Sequence, residues 1–163
     1  MSSLLYDDRF LSDVLKSVKV IAMVGASAKW NRPSNFAMKY LQGKGYRVIP
    51  VNPGLAGGEI LGETVYENLA SIPFGYQMVD IFRNSTAAGE ISDEAIALKD
   101  EKKIEVVWMQ LGVQHNEAAQ RAEEAGLKVV MDRCPKIEYG RLFGELSWAG
   151  INSGIITSKR LKR

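Results

Sequence analysis

Five short polar or glycine-rich segments follow apolar runs in this chain, and their residue types suit the binding of an anion. The segments are Gly25-Ala26-Ser27, Asn52-Pro53-Gly54, Phe82-Arg83, Gln110-Leu111-Gly112 and Asp132-Arg133-Cys134. They supply open backbone amides at glycine, hydroxyl and amide side chains, and two guanidinium groups, with few carboxylates. This combination is typical of a site for phosphate groups.

The first segment carries the most information. Gly25 lets the backbone approach a ligand closely because it has no Cβ atom, and Ser27 adds a hydroxyl. A helix predicted to begin at Pro33 directs free amides and the positive end of its dipole to the same place, where Lys29 and Arg32 add positive charge. Neither G-x-G-x-x-G nor G-x-x-x-x-G-K-[ST] is present, so a glycine needed only for the strand-to-helix turn is the competing interpretation.

The second segment argues against a nicotinamide dinucleotide. A dinucleotide-binding unit usually ends its second strand in Asp or Glu, which accepts hydrogen bonds from the ribose hydroxyls. Here Val51 is followed by Asn52 and Pro53. An enzyme that uses NAD(P) or another nucleotide on the same scaffold stays the alternative hypothesis, because a fold alone does not determine function.

Candidates for catalysis are few. His115, the single histidine, lies where a helix is predicted to begin, and a cap position explains it best. Cys134, the single cysteine, follows Arg133 but has no base beside it in the sequence; a contact with a ligand's own thiol stays open. One histidine and one cysteine do not make a four-ligand zinc site. We therefore predict neither catalytic residues nor a bound metal.

Length and composition place the chain among single globular domains. Its 163 residues are 46% hydrophobic and 25% charged, ordinary values for such a domain, and this length buries enough surface to hold a core. The net charge of +2 is too small to indicate a nucleic acid partner. The first residues lack the features of a signal peptide, and the longest uncharged stretch, residues 146–158, is too short and polar to span a membrane. We expect a cytoplasmic protein.

The five polar segments can form one binding site only if the strands before them end together at one edge of a sheet. A leading helix is followed by five apolar runs, predicted as buried strands, that alternate with helical patterns; the runs are residues 18–24, 46–51, 78–82, 104–109 and 127–131. Such alternation builds a parallel sheet with helices on both faces. We predict an α/β fold, a Rossmann-like three-layer sandwich with a five-stranded, mainly parallel sheet of order 3-2-1-4-5.

Seven stretches, taken in order and at their spacings, carry a resemblance to a known family. They are VIAMVGAS (20–27), RPS (32–34), YRVIPVNP (46–53), ILGETVYENLASIP (60–73), VDIFR (79–83), VVWMQLGV (106–113) and AEEAGLKVVMDRCPKIE (122–138). With them the chain resembles the small stand-alone CoA-binding proteins, whose fold is similar to the CoA-binding domain of the succinyl-CoA synthetase alpha subunit. The stretches cover most of residues 13–145.

The resemblance implies a Rossmann-like domain that binds coenzyme A or a short acyl-CoA, whose phosphates make it a polyanion. Position by position, the implied binding residues are Gly25, Ala26 and Ser27 around the pyrophosphate, Arg32, Pro33 and Ser34 flanking it, Asn52 and Pro53 along the nucleotide, Phe82 and Arg83 on the opposite wall, and Gln110, Leu111 and Gly112 on the pantetheine side. Small molecules of this kind, and neither nucleic acid nor membrane, are the expected partners.

The resemblance does not extend to synthetase activity. The ligase-type domain and its phosphorylated histidine have no counterpart here, and His115 does not match that histidine. We therefore expect residues 1–145 to form a single CoA-binding domain without intrinsic catalysis, in a carrier, sensor or regulatory role. Residues 146–163 are assigned to a C-terminal extension with a basic tail.

Overall fold

The computed structural model describes residues 5–143 of the chain. A parallel sheet of five strands lies at its centre, with helices on both faces. The predicted C-terminal extension, residues 146–163, lies outside the described residues. Of the helices within the described range, none is long and apolar enough to cross a membrane.

The five apolar runs form strands, and α-helices connect them except between residues 52 and 77, where a 3₁₀ turn and a short hairpin occur instead. The strands are β1 (Val20–Val24), β2 (Arg47–Val51), β3 (Glu59–Ile60), β4 (Glu63–Thr64), β5 (Met78–Ile81), β6 (Val106–Met109) and β7 (Lys128–Val130). The helices are α1 (Asp8–Ser17), α2 (Pro33–Gly43), α3 (Ser85–Lys102), α4 (Asn116–Glu124) and α5 (Pro135–Leu142), with a 3₁₀ turn at Pro53–Leu55. β3 and β4 form a small antiparallel hairpin apart from the main sheet.

The order of the main sheet is β2-β1-β5-β6-β7, and every pair in it is parallel. The predicted fold class, a Rossmann-like α/β sandwich, is confirmed. One assignment within the order 3-2-1-4-5 needs correction, because the run at residues 78–82 lies beside β1 and not beside β2. The place beside β2 belongs to Tyr66, which forms a single parallel bridge with Val51. One bridged residue has no periodicity, so the pattern did not reveal it.

Side chains alternate between the two faces of the sheet and build a core on each. On one face Val79 and Ile81 pack in the apolar cluster that includes residues of α3 and α4. On the other face Met23 and Trp108 pack in the cluster that includes residues of α1 and α2, with Tyr139 of α5 against it. Because both faces are covered, the strands are apolar almost throughout.

The carboxyl ends of three strands meet at Gly25. Its φ of +89° lies in the left-handed region, and a Cβ atom there would lie 2.3 Å from the carbonyl oxygen of Phe82 and 3.0 Å from Cδ of Arg83. Its amide donates to the carbonyl of Val51 at the end of β2, over 3.0 Å. A glycine is therefore required for two independent reasons, conformation and space.

We expect Gly25→Ala to lower the free energy of unfolding by roughly 2–5 kcal/mol, because the φ costs about 1–2 kcal/mol and overpacking adds about 1–3 kcal/mol. Gly45→Ala is the matched control, since Gly45 has a φ of +99° and nothing within 4 Å of its would-be Cβ. Urea denaturation of both variants measures the difference. Equal losses in the two variants would contradict the close approach at Gly25.

A candidate phosphate-binding groove

A groove of about 350 Å³ opens at the carboxyl ends of β1, β2 and β5. It is lined by Gly25, Ala26, Ser27, Lys29, Arg32, Pro33, Ser34, Asn52 and Phe82. Two of these nine residues are cationic and none is acidic. The structure thus brings the first loop, the start of α2 and the ends of β2 and β5 to one place, where an anion would be stabilised.

The loop between β1 and α2 is held by hydrogen bonds to the first turn of α2. Ser27 donates its amide to Oγ of Ser34 over 3.1 Å, and its Oγ accepts the amide of Lys29 over 3.1 Å. Nδ2 of the buried Asn35 donates to the carbonyl of Ser27 over 2.9 Å. Because both serine hydroxyls accept in these bonds, each keeps an O–H proton that a ligand oxygen can accept.

The start of α2 faces the groove without a side-chain cap. Its N-cap residue is Arg32, whose side chain makes no capping hydrogen bond, and Pro33 occupies the first helical position. The amides of Asn35 and Phe36 bond to the carbonyl of Arg32, which leaves the amide of Ser34 at the groove. The positive end of the helix dipole therefore adds to the charges of Lys29 and Arg32.

Asn52 joins the second strand to the first loop. Its Nδ2 donates to the carbonyl of Ala26 over 2.9 Å, and its Oδ1 accepts the amide of Gly54 over 2.9 Å. The side-chain oxygen is thus engaged within the protein and does not replace the carboxylate that holds a dinucleotide ribose. Pro53 begins the 3₁₀ turn and is not among the residues that line the groove.

Arg83 lies beside the groove, next to Gly25. Its Cδ packs against Gly25, at 3.0 Å from the would-be Cβ, although its side chain is exposed and does not line the groove. Phe82, the preceding residue, is half-buried and lines the groove directly. A third cation therefore stands beside the first loop.

The predicted residues after β6 lie beside the groove and not in it. Gly112 has a φ of +82°, and its amide donates to Oδ1 of Asp132 over 2.8 Å, so this carboxylate fixes the loop. Leu111 is 52% exposed, and Gln110 is half-buried. β5 separates these residues from β1, so a ligand that reaches both places must extend across the strand ends.

His115 and Cys134 both lie at the N-caps of helices, outside the groove. His115 is the N-cap of α4, where its Nδ1 accepts the amide of Ala118 over 3.1 Å, as predicted for a cap. Cys134 is buried at the N-cap of α5 and does not line the groove. In the described range 5–143, no three His, Cys, Asp or Glu side chains are grouped to hold a metal ion.

Two buried polar residues near the groove, Asn35 and Asp80, are not among the predicted site residues. Asp80 lies in β5 with no exposed surface, and burial raises the pKa of its carboxyl well above the ordinary value. The available signal was a single acid inside an apolar run, VDIF, which was interpreted only as a buried strand. Asn35, in contrast, is a polar residue that a helix pattern alone does not place on a buried face.

Other depressions have less suitable linings. One of about 260 Å³ lies among Lys16, Lys19, Lys44 and aromatic side chains near the starts of β1 and β2, away from the carboxyl ends of the strands. Another, of about 340 Å³, is lined by Tyr6, Glu123 and residues of α4 and β7. Ligands of open parallel sheets bind beyond the carboxyl ends, so the groove at Gly25 is the favoured site.

Comparisons with known proteins agree with this geometry. A curated relative, YneT from Bacillus subtilis (strain 168), is 33% identical over 129 residues, which cover 79% of this chain and 91% of YneT. A solved structure from Pyrococcus horikoshii OT3 is 37% identical with a TM-score of 0.79, covering 88% of this chain and 100% of that one. A solved structure from Thermus thermophilus is 36% identical with a TM-score of 0.78, covering 85% and 100%.

The match to a family model spans the sheet and the groove together. The model described as a CoA binding domain matches residues 19–140, which begin just before β1 and end within α5. This range includes all residues that line the groove and the loops after β6 and β7. With three quarters of its length matched in this way, the chain belongs to the CoA binding domain family.

Proposed function

We propose that this protein binds coenzyme A, or a short acyl-CoA, in the groove at Gly25 and acts as a carrier, sensor or regulatory protein without intrinsic catalysis. The observation that carries the proposal is the lining of the groove, which combines the uncapped start of α2 and two cations with no acid. Family membership supports the same ligand.

The charges of the groove match those of the ligand. We place the pyrophosphate of CoA beside Gly25, Ala26 and Ser27, at the start of α2, where the helix dipole and the hydroxyls of Ser27 and Ser34 favour an anion. Lys29 and Arg32 are close enough to the same loop to form charge-assisted hydrogen bonds with phosphate oxygens.

The size of the groove indicates that it holds part of the ligand. A volume of about 350 Å³ lies at the low end of small-molecule sites, and CoA is an extended molecule. We place the phosphates in the groove and let the pantetheine arm cross the end of β5 toward Gln110 and Gly112. Nothing lies within 4 Å of the would-be Cβ of Gly112, so there is room for such a chain.

The described residues support binding more than chemistry. The His115 ring caps α4, and Cys134 is buried away from the groove lining. An NAD-dependent enzyme is less favoured because Asn52 uses its side-chain oxygen within the protein. A site that binds its ligand without changing it chemically is what a carrier or a sensor needs.

We expect CoA and acetyl-CoA to bind ligand-free protein and NAD and ATP to bind far more weakly. Titration calorimetry with the four compounds measures this, and native mass spectrometry of freshly purified protein shows any ligand that is retained. Prolonged incubation with acetyl-CoA should leave the thioester intact. The absence of heat with any CoA compound at millimolar concentration would remove the proposal.

We expect Arg32→Gln to weaken CoA binding by roughly 10- to 150-fold, the range for a lost hydrogen bond to a charged group. Lys128→Gln is the matched control, since Lys128 is an exposed cation at the start of β7, away from the groove. Calorimetric titration of both variants at one salt concentration gives the comparison. An equal effect of the two substitutions would assign the loss to overall charge and not to the groove.

A further inference from the structure

Two buried side-chain groups beneath and beside the groove have acceptor atoms without partners. Both carboxyl oxygens of Asp80 and the Oε1 atom of Gln110 are buried and accept no hydrogen bond in the described part of the chain. Asp80 has no exposed surface at all. A buried acceptor without a donor is costly, so such groups call for an explanation.

Sheet register places the two side chains on the same face and next to each other. Asp80 pairs with Trp108 across β5 and β6, and the amide of Gln110 donates to the carbonyl of Ile81, which continues the ladder beyond β6. Trp108 and Gln110 are two residues apart and therefore share a face. Asp80 and Gln110 are thus diagonal neighbours, a separation that side chains of this length bridge.

No charged group in the described part of the chain serves as a counter-ion for Asp80. Its neighbours in the sheet are Met23 of β1 and Trp108 of β6, both buried and uncharged. The titratable groups on the helices of this face are Asp8, Arg9, Asp13 and Lys16 of α1, Lys39 and Tyr40 of α2, and Lys136, Glu138, Tyr139 and Arg141 of α5, with Cys134 at the N-cap of α5. Arg141 bonds Glu138 over 2.7 Å and Asp8 over 2.9 Å, so these charges compensate one another.

We propose that Asp80 is protonated in the folded protein and donates a hydrogen bond to Oε1 of Gln110, which turns Nε2 of Gln110 toward the strand ends. One proton removes the buried charge from Asp80 and supplies the donor that Oε1 of Gln110 lacks. Asp80 acts as a positioning residue, since it reaches the ligand only through Gln110. Its placement two residues before Phe82, which lines the groove, puts this bond about 7 Å below the site.

The direction of the pH effect follows from the raised pKa of Asp80. The hydrogen bond is complete at low pH and is lost as the pH rises through the pKa of the folded state. Ionised Asp80 repels Oε1 of Gln110 and leaves a buried charge, so both stability and the orientation of Gln110 decline at higher pH. The effect on CoA affinity rests on the proposed function, whereas the protonation of Asp80 does not.

Infrared spectroscopy of ligand-free protein tests whether the carboxyl group of Asp80 is protonated. At pH 7 the wild type should show the C=O band of a buried carboxylic acid, which Asp80→Asn removes and Asp93→Asn leaves. Asp93 is the control because it is an exposed acid on α3, paired with Arg121. No such band in the wild type overturns the inference whether or not CoA binds.

Calorimetric titration with CoA from pH 6 to pH 9 tests the positioning role. We expect Asp80→Asn to bind CoA as tightly as the wild type at pH 6, because its amide donates to Gln110 as the protonated acid does. Any loss of wild-type affinity that ionisation of Asp80 causes at higher pH should be absent from this variant. Asp80→Val, which suits the apolar layer but has no donor, should bind about three- to tenfold more weakly than the wild type at pH 6 and share the pH profile of Asp80→Asn. The phosphates of CoA titrate equally in all variants and cancel in the comparison.

Failure of the proposed function and failure of the positioning role of Asp80 give different results. Wild-type protein that binds no CoA at any pH overturns the proposed function and leaves the infrared band as evidence for the protonated side chain. Asp80→Val protein that binds CoA as tightly as the wild type at pH 6 overturns the positioning role alone. Loss of binding in Asp80→Asn at low pH would also overturn it, because an amide at this position retains the donor.

Discussion

The close approach of three strand ends at Gly25 is the constraint on which the site depends. Its amide bonds the end of β2, and its missing side chain leaves space for the carbonyl of Phe82 at the end of β5. The chain therefore leaves β1 in a left-handed turn that brings Ser27 to the first turn of α2. A larger residue would move β5 or the loop, and the groove between them would lose its shape.

Local charge at the groove results from this geometry and not from composition. The net charge of the chain is only +2, yet the nine lining residues include two cations and no acid. The acids Asp8, Glu63 and Asp93 form ion pairs with Arg141, Arg47 and Arg121 elsewhere on the surface. With no acid in its lining, the groove keeps the positive charges of Lys29 and Arg32 and the positive end of the α2 dipole uncompensated.

Two buried polar side chains near that edge differ in whether they have partners. Asn35 is buried but fully used, since its amide holds the carbonyl of Ser27. Asp80 is buried in the next layer with no partner, which costs stability wherever it ionises. The hydrogen-bonded side chain of Asn35 fixes the loop in one conformation, whereas the unpaired carboxyl of Asp80 makes its surroundings sensitive to protonation. The two residues show that burial alone does not decide the role of a polar side chain.

The sequence by itself determined the fold class and the chemistry of the first loop, because apolar periodicity and the residues RPS after GAS are local properties. It did not determine that β5 lies beside β1, that Tyr66 occupies the place beside β2, or that Gln110 lies near Asp80. Those relations arise from pairing between strands far apart in the chain. Only the tertiary structure decides them, since a parallel strand has no local signal for its neighbour.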